Sequence, residues 1–333
     1  MFKKGVSLLI VVTLLITIFA VGYAQKTEEG KEIVWKLGHN ALADHVDHKR
    51  LVKMAEIVLE KTGGKFKIEI YPANQLGDAI VMYEGVQMGS IDATSLSASA
   101  IAGYAAYPKL SVLEAPFIYD DVDHLKRVLK SDVVKDMIEE LVDLRNTRII
   151  GMFYAGTRHL TTKNTIVKTP EDAKGLKVRS PDIPIYMDAV RAMGASPTPM
   201  AFAELYSGLQ QGVVDGQENP YMQIVSMKFY EVQKYLIKTG HITMVGAIIV
   251  NEDRYNELPD DYKTILIEAC QEGIEYAEQI IFEEEGTLVE VLKGFGMEII
   301  EPERGLFIKN AEFIKDKYKD QWGEGVYEII RGL

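Results

Sequence analysis

The sequence after residue 32 begins with a strand pattern, a helix pattern and a second strand pattern. Ile33, Trp35 and Leu37 alternate with polar residues, as in a half-buried strand, and apolar residues then recur at helical spacing over 51–59. A second alternating stretch runs over 66–70. Two strands joined through a helix in this way are the unit of a mostly parallel sheet covered by helices. The pattern therefore predicts an α/β fold.

The alternation continues along the rest of the chain. Further strands are predicted over Ile91–Ser95, Arg148–Tyr154, Leu176–Arg179 and Val213–Asp215, each beside a helical stretch. The sequence has no internal repeat and no low-complexity linker. Its 333 residues are enough for two domains. We therefore expect two lobes that are joined by strands crossing between them and not by a flexible tether.

One segment is too long for a single small domain. The 34 residues from Asp260 to Lys293 contain no proline, and Pro259 followed by two aspartates is a favourable helix start. At 1.5 Å per residue such a helix is about 50 Å long and has to lie across both lobes. Gly273 and Gly286 leave open a break into two successive helices.

Composition excludes several classes of function. The chain has 37 lysine and arginine residues against 49 aspartate and glutamate residues, a net charge of −12, which argues against nucleic-acid binding. Its single cysteine, Cys270, excludes a disulfide framework and any cysteine-based zinc or iron–sulfur site, and its apolar neighbours predict a buried thiol. The sequence has no nucleophile elbow, zinc-protease helix or phosphate-binding loop. Enzymes and small-molecule binders remain.

The N-terminus has the features of a secretory signal peptide. Lys3 and Lys4 precede an uncharged, largely apolar run, and Gly22 and Ala24 place small residues where signal peptidase requires them. We predict cleavage before Gln25 and export of a soluble mature protein. An uncleaved membrane anchor is the alternative, because the run reaches about 20 residues.

Two residues in the second half of the chain are candidates for binding an anion. Arg179 ends a predicted strand, at the edge where open α/β sheets bind ligands, and its guanidinium matches a carboxylate in shape and charge. An ordinary salt bridge is the alternative. Asn219 precedes Pro220, which fits either an amide donor beside a helix N-terminus or a simple helix N-cap. The spacing does not decide between these two.

A group of histidines near the first helix raises the question of a metal. His39, His45 and His48 lie close to Asp44 and Asp47 in the sequence, and the last two histidines could share a face at a helix start. Solvated side chains are the commoner arrangement at such a position. We therefore predict solvated histidines, no metal site and no cofactor.

Several motifs in one order resemble a known family of binding proteins. They are Gly38–Asn40, Tyr71-Pro72, Gln75–Asp78, Gly156–Thr162, Gly175–Arg179, Gly194–Phe202 and Asp215–Pro220. In this order they closely resemble the substrate-binding proteins of tripartite ATP-independent periplasmic (TRAP) transporters, in the DctP-type branch that binds C4-dicarboxylates and sialic acid. The resemblance covers nearly the whole mature chain in one register.

The resemblance implies roles for individual residues of this chain. Arg179 corresponds to the arginine that pairs with the ligand carboxylate, and Asn219 to the asparagine that holds the same carboxylate from the other side. Arg158 corresponds to a second arginine that contacts the ligand, and Phe202 to an aromatic residue that packs against it.

Further positions fall on the wall of the implied pocket. Asn40 and Asp78 correspond to residues near this wall. Ser97 is also predicted to bind the ligand. It stands on the loop after the third strand, where the sialic-acid members of the family have a glutamate. This departure argues against sialic acid as the ligand.

The resemblance also implies an architecture. It predicts a two-lobed periplasmic solute-binding protein fold of class α/β, with mixed sheets covered by helices and a long helix that spans both lobes. With residues 1–24 as the signal peptide, we expect 25–155 and 245–284 in one lobe, and 156–244 and 285–333 in the other.

The function that follows is that of a periplasmic receptor. It would bind an organic acid, either a C4-dicarboxylate or a sugar acid, close on it by hinge motion and deliver it to TRAP membrane subunits, with a homodimer left open. One alternative is an exported enzyme with Arg179 as the anchor and His159 or Glu218 as the base; another is the receptor of an ATP-driven importer. No nucleophile–base pair accompanies the anchor, which favours a receptor over an enzyme.

Overall fold

A computed structural model describes residues 32–333, in which strands and helices alternate. The strands are β1 (Ile33–Gly38), β2 (Phe66–Tyr71), β3 (Ala93–Ser97), β4 (Thr147–Thr162), β5 (Lys177–Ser180), β6 (Ser196–Pro199), β7 (Gly216–Pro220), β8 (Tyr235–Asn251) and β9 (Glu298–Ile300). The helices are α1 (Val46–Lys61), α2 (Ala79–Met88), α3 (Ala98–Tyr104), α4 (Val122–Leu129), α5 (Asp132–Arg145), α6 (Pro184–Ala192), α7 (Leu205–Gln211), α8 (Tyr221–Ser226), α9 (Glu252–Asn256), α10 (Asp260–Gly294), α11 (Arg304–Trp322) and α12 (Val326–Arg331). Short 3₁₀ turns lie at Pro108–Glu114, Pro170–Ala173, Phe202–Glu204 and Phe229–Glu231.

The predicted signal peptide and its cleavage site lie outside the described residues. Among residues 32–333, no helix combines the length and the apolar character that a membrane span requires.

The strands form one mixed sheet. Nine strands of residues 32–333 take part, in the order β2-β1-β3-β8-β4-β7-β5-β6, with β9 beside β8. β1 pairs in parallel with β2 and β3 at one end, and β5 pairs in parallel with β6 and β7 at the other. The antiparallel strands β4 and β8 stand between these two parallel groups. The predicted α/β fold and the predicted β1–α1–β2 unit are confirmed.

β4 and β8 connect the two ends of the sheet. They are 16 and 17 residues long and pair with each other along most of their length. Gly246–Val250 of β8 pairs with β3 at one end, and Arg158–Thr162 of β4 pairs with β7 at the other. Between Tyr154 and Thr157 the β4–β8 register shifts, so the pairing is interrupted midway. The chain therefore passes between the two ends through strands, as the lack of linker composition predicts.

The long proline-free segment forms one helix. α10 runs unbroken for 35 residues, so the alternative of two successive helices is wrong. It packs against α1 near its start and against α8 near its end. Gly273 permits the first contact, because a β-carbon there would lie 2.7 Å from the carbonyl oxygen of Arg50. Cys270, on the same stretch, is fully buried as predicted.

Two strand predictions need correction. The strand predicted over Val213–Asp215 is wrong: this segment is a turn, and the strand β7 begins at Gly216. β3 begins at Ala93, two residues later than predicted. The apolar pair Val213 and Val214 suggested a buried strand, but Val213 is exposed. The polar residues of β7, which follow, are buried, but they form no apolar pattern from which a strand could be predicted.

Candidate ligand-binding site

A cavity of about 730 Å³ lies between the two parallel groups of strands. All the residues predicted to bind the ligand line it: Asn40, Asp78, Ser97, Arg158, Arg179, Phe202 and Asn219. Its volume is within the range of small-molecule pockets, about 300–1,000 Å³. The sequence motifs, which are far apart along the chain, therefore meet at one concave site.

The first wall consists of strand ends and helix starts. Asn40 follows β1, while Asp78 and Ser97 are the N-cap residues of α2 and α3. Asp78 accepts a hydrogen bond from the Val81 amide at 3.0 Å, and Ser97 accepts one from the Ala100 amide at 3.2 Å. These caps bind amide groups that each helix leaves without an internal partner, and they fix both side chains at the cavity.

Arg179 lies on the second wall, near the carboxyl end of β5. Its Nε and Nη2 donate to the carbonyl oxygen of Met200 at 2.9 and 2.7 Å, and its guanidinium lies 5.7 Å from the ring centre of Phe202. Within residues 32–333, Arg179 forms no ion pair. The alternative of an ordinary salt bridge, considered from the sequence, is therefore wrong. Burial lowers the pKa of Arg179 to about 10, which leaves it ionised at neutral pH.

Arg158 also lines the cavity, but its charge is already matched. Its Nε donates to Oε2 of Glu218 at 2.6 Å and its Nη2 donates to Oε1 at 2.8 Å, with both side chains buried. His241 adds a contact of 3.0 Å between its Nε2 and Oε2 of Glu218. Burial alone would raise the pKa of Glu218, but Arg158 and these hydrogen bonds lower it to about 2. The pair is therefore ionised on both sides and close to neutral as a unit.

Asn219 and Phe202 complete this wall. Asn219 lies in β7, and its Nδ2 donates to Oε1 of Gln217 at 2.5 Å. The N-cap of α8 is Pro220, which makes the N-cap alternative for Asn219 wrong. The second N–H of Nδ2 and the Oδ1 oxygen remain for another partner. Phe202 is on a 3₁₀ turn and supplies an apolar surface beside Arg179.

The two residues considered as a catalytic base are held in other roles. Glu218 is the partner of Arg158, and its lowered pKa makes it a weak base. His159 stacks on Tyr221 with ring centres 4.3 Å apart, and its Nδ1 accepts a hydrogen bond from the Gly240 amide at 3.1 Å. Burial lowers the pKa of His159 well below its ordinary value. His159 is not among the residues that line the cavity.

Two of the three histidines near the first helix are part of the first wall, which sequence reasoning missed. His39 and His45 line the cavity and are only 1% and 5% exposed, so the prediction of solvated side chains is wrong. The two histidines are buried because α1 starts at the edge of the sheet where the cavity lies. Residues 32–333 contain no group of three or more histidine, cysteine or acidic side chains arranged to hold a metal ion. The motif Gly38–Asn40 was the one signal pointing to this loop.

An ion pair between buried Arg50 and half-buried Asp47 lies beside these histidines. Nη1 of Arg50 donates to Oδ1 of Asp47 at 2.5 Å, and the Arg50 guanidinium lies 3.5 Å from the ring centre of Phe153. Burial alone would raise the pKa of Asp47, but His45 and Arg50 lower it below its usual range. Asp47 therefore stays ionised beside the cavity with its charge matched by Arg50.

Comparisons with known proteins match the chain to one family of binding proteins. Residues 37–321 match the family profile described as bacterial extracellular solute-binding protein, family 7 (DctP). The sialic acid-binding periplasmic protein SiaP of Vibrio cholerae is 34% identical over 298 residues, which is 90% of this chain and 92% of that protein.

Crystal structures give the same result for the fold. A TRAP periplasmic solute-binding protein from Bordetella bronchiseptica, with density interpreted as pantoate, has a TM-score of 0.85 and 32% identity, covering 90% of this chain and 99% of that one. A TRAP periplasmic solute-binding protein from Roseobacter denitrificans with bound L-galactonate has a TM-score of 0.83 and 31% identity, covering 91% and 98%. The two-lobed binding-protein fold predicted from the sequence is confirmed.

Proposed function

This chain belongs to the bacterial extracellular solute-binding proteins of family 7, and we propose that it is a periplasmic receptor that binds an organic acid by its carboxylate and delivers it to the membrane subunits of a TRAP transporter. The observation that carries this proposal is the state of Arg179. It is buried, ionised and free of any carboxylate within residues 32–333, and it lines the cavity.

The hydrogen bonds of Arg179 leave one edge of its guanidinium for a ligand. Met200 takes Nε and one N–H of Nη2, so Nη1 and the second N–H of Nη2 remain. These two nitrogens present parallel donors, the arrangement that binds both oxygens of one carboxylate. Asn219 adds an amide donor on the same wall. A buried anion needs such a cation and such donors to offset the loss of its hydration.

The ligands of two similar structures support a hydroxylated acid. The Bordetella protein has density interpreted as pantoate, and the Roseobacter protein holds L-galactonate. Both compounds carry one carboxylate and several hydroxyl groups. Ser97 in place of a glutamate argues against sialic acid, as set out above.

Closure of the two lobes on the ligand is part of the proposal. We assign 25–155 and 245–284 to one lobe and 156–244 and 285–333 to the other. The interruption of the β4–β8 pairing between Tyr154 and Thr157 supports a hinge at the first boundary. Asn40 and Asp78 then approach the ligand from one lobe, and Arg179 and Asn219 from the other.

An exported enzyme acting on a carboxylate is less well supported. Glu218 and His159, the two candidate bases, are engaged with Arg158 and with Tyr221 and Gly240. A receptor also agrees with the family, whose members are solute-binding proteins. Membership of this family favours TRAP membrane subunits over an ATP-driven importer.

The experiment is calorimetry on the mature protein with hydroxylated acids, each paired with its neutral alcohol. Galactonate and galactitol form one such pair, since they share a carbon chain and differ in the carboxylate. We expect at least one acid to bind more tightly than its alcohol by a factor of about 30 or more, the effect of one buried charge pair. Equal binding of acids and alcohols would contradict the proposal. Formation of a new product on prolonged incubation would favour the enzyme.

A further inference from the structure

We propose that His39 and His45 form a second subsite that binds hydroxyl groups at the end of the ligand remote from Arg179, so that the ligand is a polyhydroxylated monocarboxylate and not a dicarboxylate. This inference rests on the proposed function, because it assumes that Arg179 holds a carboxylate. It concerns the opposite wall of the same cavity.

His45 presents a buried ring nitrogen without a partner. Its Nδ1 accepts a hydrogen bond from the Asp47 amide at 3.1 Å, which makes it the N-cap of α1. The same Nδ1 lies 3.3 Å from Oδ2 of Asp47, so Nε2 donates or accepts according to which of these two groups of Asp47 Nδ1 bonds. Within residues 32–333, this Nε2 is buried and has no hydrogen-bond partner. A buried polar nitrogen without a partner is unfavourable, so a ligand hydroxyl that bonds to it is stabilised here.

His39 presents a second nitrogen of the same kind. Its Nε2 lies 3.0 Å from Nδ1 of His48, and one of these two rings donates to the other. Its own Nδ1 is buried and has no partner in the described part of the chain. Burial lowers the pKa of His39 to about 4, so the ring is neutral at pH 7. Nδ1 then donates or accepts according to the tautomer that the contact with His48 selects.

This combination of groups matches hydroxyls better than a second carboxylate. A hydroxyl both donates and accepts, whereas an ionised carboxylate only accepts. The first wall also carries Asp47 and Asp78, and no lysine or arginine of residues 32–333 lines the cavity on that side. A carboxylate placed there would lose its hydration without gaining a cation. Arg158 does not provide one, because Glu218 already neutralises it.

The sheet order separates the two subsites. β1, which His39 follows, and β5, which carries Arg179, have β3, β8, β4 and β7 between them. Both residues line the same cavity, which they therefore reach from opposite sides of the strand order. A ligand that engages both must be an elongated molecule with its carboxylate at one end and polar groups at the other.

Two substitutions keep the structural contact of each histidine and remove only the nitrogen that has no partner. His45→Asn preserves a side-chain acceptor at the cap position, where asparagine is among the best N-caps, but removes Nε2. His39→Gln keeps a polar group near the position of Nε2 for His48 but removes Nδ1. Glu56→Gln is the control, because Glu56 is exposed on the same helix and does not line the cavity. Circular dichroism and the melting temperature of each variant establish that it is folded.

Calorimetry with glycerate, galactonate and succinate, on the parent, these variants and Arg179→Ala, tests the inference. We expect galactonate to bind the parent most tightly, and His45→Asn and His39→Gln each to weaken it by about 3- to 10-fold, the effect of one hydrogen bond. The affinity for glycerate, which has half the carbon chain, should change less than 2-fold, and Glu56→Gln should leave the preference among the acids unchanged.

The outcomes separate the subsite from the anchor. The hydroxyl subsite is wrong if the two histidine variants weaken the binding of all the acids equally, or if they weaken the binding of no acid. It is also wrong if succinate is the tightest ligand of the parent. Each of these results can occur while Arg179→Ala abolishes binding. If Arg179→Ala binds the acids as the parent does, or if the parent binds none of them, the proposed function and the subsite fail together.

Discussion

Arg158 and Glu218 form a buried ion pair with two parallel hydrogen bonds, from Nε to Oε2 at 2.6 Å and from Nη2 to Oε1 at 2.8 Å. The pair joins neighbouring strands β4 and β7 directly beneath the cavity. Because this arginine already has its carboxylate, the ligand does not need to supply one. The cavity thus has one cation available to an anion, Arg179, among the residues that the structure describes.

Breaking this pair on one side should destabilise the protein strongly. Glu218→Gln leaves the Arg158 charge buried without a counter-charge, which we expect to lower the free energy of unfolding by about 3–5 kcal/mol. Urea unfolding followed by circular dichroism measures this value. Glu231→Gln, at an exposed hydrogen bond with Tyr206, is the control and should change stability by less than about 0.5 kcal/mol. A loss below about 1 kcal/mol for Glu218→Gln would contradict the assignment of a buried pair.

The same pair predicts a pH dependence of stability. The pKa of Glu218 is about 2 in the folded protein against an ordinary value of 4.5, so the unfolded state takes up a proton first as the pH falls. The stabilisation by this group is complete well above pH 4.5 and declines as the pH falls toward 2. The difference in unfolding free energy between the parent and Glu218→Gln should therefore shrink over this range. A difference that stays constant from pH 6 to pH 3 would show that Glu218 is not the titrating group.

A hydrogen bond between the proposed lobes should favour closure. The Tyr186 hydroxyl donates to Oε1 of Glu114 at 2.8 Å, and Glu114 also accepts from the amides of Ser99 and Val245. We assign this hydrogen bond to the closed state, so Tyr186→Phe should weaken all acidic ligands alike, by about 3- to 10-fold. Small-angle scattering should show the parent contracting on ligand binding and this variant contracting less at equal ligand concentration.

The control for this prediction is Tyr206→Phe, which removes the hydroxyl that donates to Glu231 on the surface. It should leave affinity and contraction unchanged. Identical scattering profiles of the parent with and without saturating ligand would refute closure.

Export is predicted from the N-terminal residues alone. We expect the protein from its native host to begin at Gln25, because Gly22 and Ala24 provide the small residues of a signal-peptidase site. N-terminal sequencing of the periplasmic fraction checks the cleavage. Recovery of a chain with Met1 in the membrane fraction would mean that the segment is an uncleaved anchor.

The sequence predicts the elements with strong periodicity and misses those made of polar residues. β1, α1 and β2 follow from apolar spacing, and the 35-residue helix α10 follows from the absence of proline. β7 has no apolar pattern, because the residues it buries include Gln217, Glu218 and Asn219, which serve the site.

Contacts between distant segments account for the rest. That Glu218 pairs with Arg158, 60 residues earlier, depends on the pairing of β4 with β7. The burial of His39 and His45 depends on which sheet edge forms the cavity. Neither the ion pair nor the burial of the histidines can be predicted from neighbouring residues in the sequence. The site residues implied by the family resemblance, in contrast, all line one cavity.

The direct test of the account is the affinity of the Arg179 variants for the acid that the parent binds best, measured by calorimetry. Arg179→Ala removes the cation that we propose holds the ligand carboxylate, and we expect it to weaken binding by about 2–5 kcal/mol, or roughly 30- to 5,000-fold. Arg179→Lys keeps the charge but loses the parallel donors, so its affinity should lie between those of the parent and the alanine variant. If Arg179→Ala binds the acid as tightly as the parent, the carboxylate is held elsewhere and the account is wrong.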